Sequence, residues 1–365
     1  MLTFLHGADL HLDAPFHALP PDQAAQRRRE QRQLLRRLGE TARQRQVDLV
    51  FLSGDLFDSQ RVLPETIQVL RQELEQIPAA IFLAPGNHDP YTDASPYARV
   101  AWPPQVHVFR APAPERVELP QLGAVVYGSA FLSPHRTDGP LTGFQARDEG
   151  LTAFGCFHGD PSGPRSRYGP VTEEEIARSG LTYLALGHLH TASGLRRAGR
   201  TFYAWPGCPE GRGFDETGEK GVYLGQVTET GVQLDFVPLA GRRYLAPTLD
   251  ITGRDPAQVL EEALAQAAPQ DILRLRLTGQ REEDAPPDLA ALTAQAAACC
   301  YRAEVVDETV LSRSAWDRQG EDTLTGLFLQ TMARRLAQAP AEERPLLERA
   351  VRFGLAALEG REEPT

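Results

Sequence analysis

The chain has 365 residues, of which 41% are hydrophobic, and its 49 acidic and 38 basic residues give a formal net charge of −11. Its length predicts more than one domain with ample apolar material for a core, and its acidity argues against a protein that coats nucleic acid by bulk electrostatics. It contains no apolar stretch long enough to span a membrane, its first strand follows Met1 directly, and its four cysteines have no zinc-like spacing. We therefore expect no transmembrane span, no signal peptide and no membrane partner, and a reducing, cytoplasmic setting.

Five short apolar runs in the first half of the chain each lead into residues that can bind a metal ion. Apolar runs of four to eight residues, bounded by Gly or Pro, are typical of buried strands. The runs cover residues 2–6, 47–52, 79–83, 152–157 and 182–186. The potential ligands that follow them are Asp9, His11, Asp55, Asn87, His158, His188 and His190. Because ligands of open α/β sheets gather at the carboxyl ends of strands, we expect these side chains at one rim.

Two divalent ions held close together need an anionic bridge and neutral ligands that leave open positions. Asp55 is the acid at the centre of the strand order, so we predict that it bridges the two metals. The remaining ligands are predicted to be Asp9, His11 and His190 for one metal and Asn87, His158 and His188 for the other. Mixed imidazole and carboxylate ligation favours Mn²⁺, Fe²⁺, Zn²⁺ or Co²⁺ over calcium. Mn²⁺ is our first expectation, with Mg²⁺ as a further alternative.

His88 follows the predicted ligand Asn87 and need not bind metal. We predict that it protonates the leaving oxygen or stabilises the phosphate, and that Asp89 orients its ring. A single histidine of this kind is more often a core or surface residue. The five motifs together favour the metal interpretation.

Two helices separate the first three predicted strands. Residues 22–46 form an amphipathic pattern, and residues 65–76 form the next helix, which predicts a mainly parallel sheet. The first of these helices carries eight arginines: Arg27, Arg28, Arg29, Arg32, Arg36, Arg37, Arg43 and Arg45. Such a run is typical of a solvated helix face, and the alternative is a phosphate-binding surface. Thr172 and Glu175 predict a capping box that opens a later helix.

The composition changes after Pro247, where a smaller β-α-β-α-β unit is predicted. Before it, residues 200–239 alternate as strands with a turn at Thr230 and Gly231, and we expect them to close a second sheet in antiparallel fashion. We predict domains at residues 1–245, 246–312 and 313–365. The last contains two amphipathic helices, whose apolar faces are predicted to be Leu324, Leu327, Phe328, Thr331 and Leu336, and Leu347, Val351, Leu355 and Leu358.

The motifs D-x-H, G-D, G-N-H-D, H and G-H-x-H, in this order, resemble those of the calcineurin-like metallophosphoesterase superfamily. Within it, residues 8–16, 54–58 and 206–221 are similar to the DNA-repair exonuclease branch of SbcD type, most closely its YhaO-type subgroup. The resemblance covers about residues 1–245. It implies an α/β fold with a four-layer, two-sheet core, a small C-terminal α/β cap domain and terminal helices.

The resemblance also implies a function, namely two-metal-dependent hydrolysis of DNA phosphodiesters by an exonuclease, with endonuclease action near ends as an extension. It implies an SMC-like coiled-coil ATPase as a partner, bound through the terminal helices, and a homodimer. The alternative for those helices is packing against their own domain. Two other functions stay open: a small-molecule phosphoesterase acting on cyclic nucleotides or phosphomonoesters, and a non-catalytic subunit that binds DNA ends.

Seven further positions carry specific expectations. Glu210 stands where the branch often has glutamine, and an acid there would weaken a phosphate contact if this side chain makes one. Lys220 is the only lysine of the chain and is expected in a surface turn. Asp58 is expected either to support a metal ligand or to make a loop or capping hydrogen bond. The histidines that match no ligand position are expected to be structural or exposed; they are His6, His17, His107 and His135.

Overall fold

A computed structural model describes residues 1–17, 19–147, 150–282, 286–312 and 316–360. Its contacts divide the chain into two compact units, Met1–Gly241 and Arg242–Thr365. The division falls close to the predicted change in composition, whereas the two C-terminal regions predicted separately lie in one unit. No helix within the described residues is long and apolar enough to cross a membrane.

Within its described residues, the first unit contains twelve strands and four α-helices. Its strands are β1 (Leu2–Gly7), β2 (Leu49–Leu52), β3 (Ala80–Leu83), β4 (Val106–Val108), β5 (Glu115–Leu119), β6 (Ala124–Gly128), β7 (Thr152–His158), β8 (Tyr183–Gly187), β9 (Arg196–Ala198), β10 (Thr201–Ala204), β11 (Gly221–Thr228) and β12 (Gly231–Pro238). Its helices are α1 (Pro21–Gln44), α2 (Pro64–Glu75), α3 (Pro96–Arg99) and α4 (Glu173–Arg178). The predicted capping box is present, because Thr172 accepts from the Glu175 backbone and the Glu175 side chain accepts from Thr172.

The strands form two six-stranded sheets, with the orders β12-β11-β1-β2-β3-β4 and β5-β6-β7-β8-β10-β9. Strands β1 to β4 are parallel in the first sheet, as are β6, β7, β8 and β10 in the second. The hairpin β11–β12 has the predicted turn but pairs antiparallel with β1 of the first sheet. The prediction that residues 200–239 close the second sheet in antiparallel fashion is therefore wrong for this hairpin. Strand β10 does lie in the second sheet, but it pairs in parallel with β8 and antiparallel only with β9.

The two sheets pack face to face and carry helices outside, which gives four layers. The contact between the sheets is aromatic and fully buried; its residues include Phe4, Phe51, Phe82, Phe154 and Tyr183. Helices α1 and α2 cover the outer face of the first sheet, and α4 covers that of the second. Each of these buried side chains stabilises the fold by about 1.5–3 kcal/mol. The expected two-sheet α/β core is confirmed.

The second unit contains a small parallel sheet with helices. Its elements are β13 (Tyr244–Leu245), β14 (Thr248–Asp250), α5 (Pro256–Leu264), β15 (Ile272–Thr278), β16 (Gln280–Arg281), α6 (Leu289–Ala297), β17 (Arg302–Asp307), β18 (Val310–Leu311), α7 (Leu324–Gln338) and α8 (Arg344–Glu359). Strand β15 pairs in parallel with β13, β14 and β17. This arrangement agrees with the predicted β-α-β-α-β order.

The terminal helices pack within this second unit. Leu329, Met332, Val351 and Leu355 form one buried cluster with Leu311 of β18. The apolar face predicted for α7 is therefore wrong in part. Its outer residues are exposed, with Leu324 at 68% and Leu327 at 58% of their full accessibility.

Candidate metal centre

Loops at the carboxyl ends of β1, β2, β3, β7 and β8 bring the predicted ligands to one rim of the first unit. The first two loops lie side by side, since Asp9 N donates to the Gly54 carbonyl at 3.0 Å and His11 N to the Asp55 carbonyl at 2.9 Å. Asp9, His11 and Asp55 have φ values of 52°, 42° and 48°, and His188 has 106°. Positive φ at non-glycine residues costs about 1–3 kcal/mol each and is typical of functional sites. The fold therefore holds this rim in strained conformations.

Two glycines of the motifs are required for the rim to close. A Cβ added at Gly54 would lie 2.1 Å from Nδ1 of His158, and the φ of Gly54 is +93°. A Cβ at Gly86 would lie 2.2 Å from Oδ1 of Asp55 and 2.5 Å from its backbone nitrogen. The close approach of neighbouring loops thus explains both glycines.

The predicted ligand atoms gather into two groups, each with its atoms within 4.8 Å of one another: Asp9, His11 and His190, and Asp55, His158 and His188. A third group of the same kind joins His11 to Asp58 and His88, which were not predicted as ligands. Asn87 joins the second group, because its Oδ1 lies 2.9 Å from His158 Nε2 and 3.2 Å from His188 Nδ1. The grouping is the one that we predicted from the sequence. The role of each residue as a ligand stays a prediction.

Asp55 lies between the two groups. Its Oδ2 is 3.4 Å from His158 Nε2 and 3.9 Å from His11 Nε2, while its Oδ1 accepts from His88 N at 2.9 Å. Burial opposes ionisation of Asp55, but the neighbouring His158 and His11 outweigh it and lower the pKa of this carboxyl below its usual value. An ionised carboxylate that faces both groups is suited to bridge two cations.

The donor chemistry fits divalent ions. His158 Nδ1 lies 3.0 Å from the Ser53 carbonyl, and His190 Nδ1 lies 2.7 Å from Oε1 of Glu216. These acceptors hold the ring proton on Nδ1 and leave the Nε2 lone pair for the centre. His11 Nε2 and His190 Nε2 face each other at 3.2 Å. The lone pairs of two such nitrogens repel each other at this distance, and a cation bound by both would remove the repulsion.

Three residues behind the first group, Arg212, Asp58 and Glu216, form a clamp that was not predicted from the sequence. Arg212 donates to Oδ1 of Asp58 at 3.1 Å and to both carboxylate oxygens of Glu216. These two acids in turn face the far nitrogens of His11, at 3.3 Å, and of His190. Glu216 is desolvated, yet its bonds to His190 and Arg212 lower its pKa well below the usual value. Asp58 therefore lies where it can support a metal ligand, which was one of its two expected roles.

The sequence marked the positions of two clamp residues but did not indicate what they contact. Arg212 and Glu216 belong to the segment that resembles the exonuclease branch, so their positions were marked without a role. A third such support, Asp160, lies 3.7 Å from His188 Nε2. No local pattern connects these residues to the histidines, because their contacts depend on the tertiary fold.

His88 is exposed beside the centre, and its ring lies 4.8 Å from that of His11. The expectation that Asp89 orients this ring is wrong. Asp89 is buried and accepts from Phe57 N, Gly86 N and the Tyr97 hydroxyl at 2.6–2.9 Å. His88 Nδ1 instead lies 3.3 Å from the Asp58 carbonyl. Burial, together with the charge of Asp55, raises the pKa of Asp89 to about 6, and its contacts brace the loop that carries Asn87.

Glu210 and Lys220 both point inward. Oε1 of Glu210 accepts from Arg27 at 2.7 Å and Oε2 accepts from Gly241 N at 2.9 Å, so this acid is a buried ion-pair partner with no phosphate contact to weaken. Lys220 is 5% exposed and donates to the His190 carbonyl at 2.8 Å. The surface turn expected for Lys220 is therefore wrong. Its ammonium group supports the backbone of a candidate ligand.

The remaining histidines lie outside both ligand groups, and arginines of helix α1 make structural contacts within the unit. His6 is fully buried between the Tyr183 hydroxyl and the Leu186 carbonyl, and desolvation lowers its pKa to about 3. His17 and His135 are exposed, and His107 is half-buried. At least five arginines of α1 bond within the unit; the pairs are Arg27–Glu210, Arg28–Pro15, Arg32–Glu65, Arg37–Leu239 and Arg43–Glu73. These contacts favour a structural role for that side of the helix.

Comparisons with known proteins agree with this geometry. The family model described as "Calcineurin-like phosphoesterase" matches residues 2–192, which include all the predicted ligands. The chain is also 30% identical over 246 residues to "Uncharacterized metallophosphoesterase YhaO" of Bacillus subtilis (strain 168). That match covers 64% of this chain and 60% of the relative's length. With its ligand motifs inside the matched residues, the chain belongs to the calcineurin-like phosphoesterase family.

Proposed function

We propose that this protein is a metal-dependent phosphodiesterase that degrades DNA, acting as an exonuclease and near DNA ends as an endonuclease. The observation that carries the proposal is the convergence of two ligand groups on Asp55 at an accessible rim. Two divalent ions bound there would activate a water and neutralise the non-bridging phosphate oxygens. Mn²⁺ is the proposed metal, because mixed imidazole, carboxylate and amide ligation suits it.

His88 is the proposed general acid. Its backbone N–H donates to Asp55, and its Nδ1 faces the Asp58 carbonyl, which fixes the ring beside the centre. With its Nδ1 proton directed to that carbonyl, the doubly protonated ring carries its second proton on Nε2 and can give that proton to the leaving oxygen. His88→Asn is expected to lower kcat by about 10²–10⁴-fold. Its metal content, measured by inductively coupled plasma mass spectrometry, should equal that of the unaltered protein.

DNA is the proposed substrate for two reasons. The segments around Asp9, Asp55 and Arg212 resemble the DNA-repair exonuclease branch of the family. The chain also continues beyond the metal-binding unit into a separate α/β unit, Arg242–Thr365, which a small phosphoester would not require. A small-molecule phosphoesterase with the same metal site is the alternative that the first experiment separates.

That experiment measures hydrolysis of end-labelled single- and double-stranded DNA and of bis(p-nitrophenyl) phosphate in the presence of Mn²⁺. The matched variants are Asp55→Asn at the centre and Asp235→Asn on the exposed face of β12. We expect DNA degradation by the unaltered chain and by Asp235→Asn, and none by Asp55→Asn. Hydrolysis of the small ester with intact DNA would reject DNA as the substrate of the isolated chain. Equal DNA degradation by Asp55→Asn would reject the metal centre as its source.

We also propose that an SMC-like coiled-coil ATPase binds the terminal helices. Leu324 and Leu327 of α7 and Leu346 of α8 are 58–70% exposed. The inner apolar residues of both helices are buried within their own unit. An exposed leucine pair at i and i+3 is the pattern that helix-in-groove partners recognise. Affinity purification from the native cell should recover the ATPase with the unaltered chain and lose it with Leu327→Glu. Recovery of no ATPase counts against the partner.

A homodimer is proposed on the family resemblance alone. Light scattering of the purified chain tests it, and a monomer mass at all concentrations would refute it.

A further inference from the structure

The loop between β7 and α4, residues 159–171, places an aromatic side chain directly beside the candidate metal centre. The Tyr168 ring lies 5.1 Å from the ring of His188, with an angle of 35° between their planes. The ring of His135 lies 5.7 Å from that of Tyr168, with an angle of 47° between their planes. Tyr168 thus has two ring neighbours, His188 and His135, of which only His188 is a candidate ligand.

The backbone on both sides of Tyr168 is held by a neighbouring loop. Arg136 N donates to the Arg167 carbonyl at 2.8 Å, and Gly169 N donates to the Arg136 carbonyl at 2.7 Å. The Arg136 side chain is itself fixed by Ser129 and by the carbonyl of Pro112. Two further bonds, Asp160 N to the Gly169 carbonyl and Val171 N to the Asp160 carbonyl, tie the loop to its own base. The position of Tyr168 is therefore built into the fold.

The surface around this ring has the chemistry of a site for unpaired nucleic acid. Tyr168 is half-buried, and within the described residues its hydroxyl has no hydrogen-bond partner. Arg165 and Arg167 are exposed and, in the part of the chain that the structure describes, form no ion pair. The nearby acid Asp160 is engaged by Ser162 N at 2.8 Å and faces His188. Aromatic faces flanked by free cations bind single strands by stacking and by phosphate contact.

We propose that Tyr168, with His135 beside it, stacks the nucleobase next to the scissile phosphate, and that Arg165 and Arg167 bind phosphates of the same unpaired strand. The inference rests on the proposed function and narrows it, because it assigns a single-stranded end as the species that enters the centre. A phosphodiester without a base has nothing to place on Tyr168.

The test changes Tyr168 in the protein and the terminal bases in the substrate, singly and together. Single-stranded, end-labelled oligonucleotides are compared with otherwise identical ones in which the terminal nucleotides at either end are abasic. For the unaltered protein with Mn²⁺ we expect kcat/KM to fall about tenfold on removal of the bases, the effect of losing one stacked base. Tyr168→Leu, which keeps apolar packing against His188, should cleave both substrates at equal rates. Tyr168→Phe should retain the dependence on the base.

Several results would overturn the inference. A tenfold dependence on the base that persists in Tyr168→Leu places the stacking site elsewhere. No dependence in the unaltered protein removes the site altogether. Hydrolysis of neither oligonucleotide rejects the proposed function and this inference with it.

The arginines are tested separately by the salt dependence of binding to the intact single strand, in the Asp55→Asn protein so that no cleavage occurs. Arg165→Gln and Arg167→Gln should each reduce the slope of log affinity against log salt by about one contact. Arg178→Gln on α4 is the matched control, because Arg178 is exposed but already paired with Glu174. Unchanged slopes in both loop variants would overturn the phosphate contacts.

Discussion

Glu210→Gln should destabilise the first unit strongly, although it removes only one charge. Arg27 and Glu210 have fully buried side chains and are joined by a hydrogen bond of 2.7 Å. Glu210 also accepts from Gly241 N at 2.9 Å through its second oxygen. Glutamine offers one carbonyl oxygen to these two donors, and its amide would then face a donor. Arg27 keeps Glu30 at 2.5 Å and the Gly211 carbonyl at 3.0 Å as partners, but the variant removes the fully buried negative charge that faces its guanidinium.

The size of the effect follows from these contacts. Removing one partner of a buried ion pair costs about 3–5 kcal/mol. For a unit of this length, 1 kcal/mol shifts the Tm by about 2–4 °C, so the expected decrease in Tm is about 6–20 °C. Differential scanning calorimetry of the full chain measures it. Combining Glu210→Leu with Arg27→Met should recover part of the loss, because it removes both members of the fully buried pair. Recovery is incomplete because Glu30 loses Arg27 and Arg37 loses Glu210.

Glu174→Gln is the matched control, since the Arg178–Glu174 pair is 2.6 Å long but 70–76% exposed. An exposed pair of this kind contributes at most about 1 kcal/mol, so its Tm should change by no more than a few degrees. If Glu210→Gln shifted the Tm no further than Glu174→Gln, the assignment of Glu210 to a structural ion pair would be refuted.

Three further predictions concern the centre and its surroundings. Glu216→Gln should weaken metal binding by about 10–100-fold in a Mn²⁺ titration, because Glu216 orients the ring of His190; an unchanged affinity would contradict the clamp. Gly54→Ala should fold with reduced metal content or fail to fold, since its Cβ would overlap the ring of His158; full metal content would contradict the required close approach. His6 has a folded pKa of about 3, below its usual 6.5, so its contribution to stability is complete above about pH 6.5 and is lost as the pH falls toward 3. At about pH 4.5 the loss is about 3 kcal/mol. In denaturant unfolding, the free energy of unfolding of His6→Gln should therefore decrease less between about pH 6.5 and about pH 4.5 than that of the unaltered chain. An equal decrease in both proteins would contradict this.

The rim was predictable because its signal is local. Strand ends can be read from apolar runs, and parallel strands bring their carboxyl ends to the same edge. Asp9 and Asp55 follow their strands within three residues and His158 is the last residue of β7, so their meeting required only the sheet. The observed strands β1, β2, β3, β7 and β8 differ from the predicted runs by no more than two residues at either end.

The contacts of Glu210, Lys220 and Asp89 could not be predicted in the same way. Arg27 is 183 residues from Glu210 in the chain, and His190 is 30 residues from Lys220. No periodicity links such pairs, and a charged residue in a loop is usually exposed. Only the packing of α1 against the loop after β10 decides that Glu210 turns inward.

The terminal helices illustrate a different limit. Their helical period was correct, but α7 has apolar residues around much of its circumference, so more than one face was available. The partner decides which face is buried, and in the structure that partner is α8 with Leu311. The same reasoning applies to the hairpin β11–β12, whose alternation predicted strands but contained no information about which sheet they join.

The most direct test of the central claim is the number of metal ions bound. Equilibrium dialysis of the purified chain against Mn²⁺, followed by elemental analysis, should give two ions per unaltered chain and two for Asp235→Asn. Asp55→Asn should lose at least one ion, because this carboxylate faces both ligand groups. Two ions retained in Asp55→Asn, or none bound by the unaltered chain, would contradict a metal centre built around Asp55.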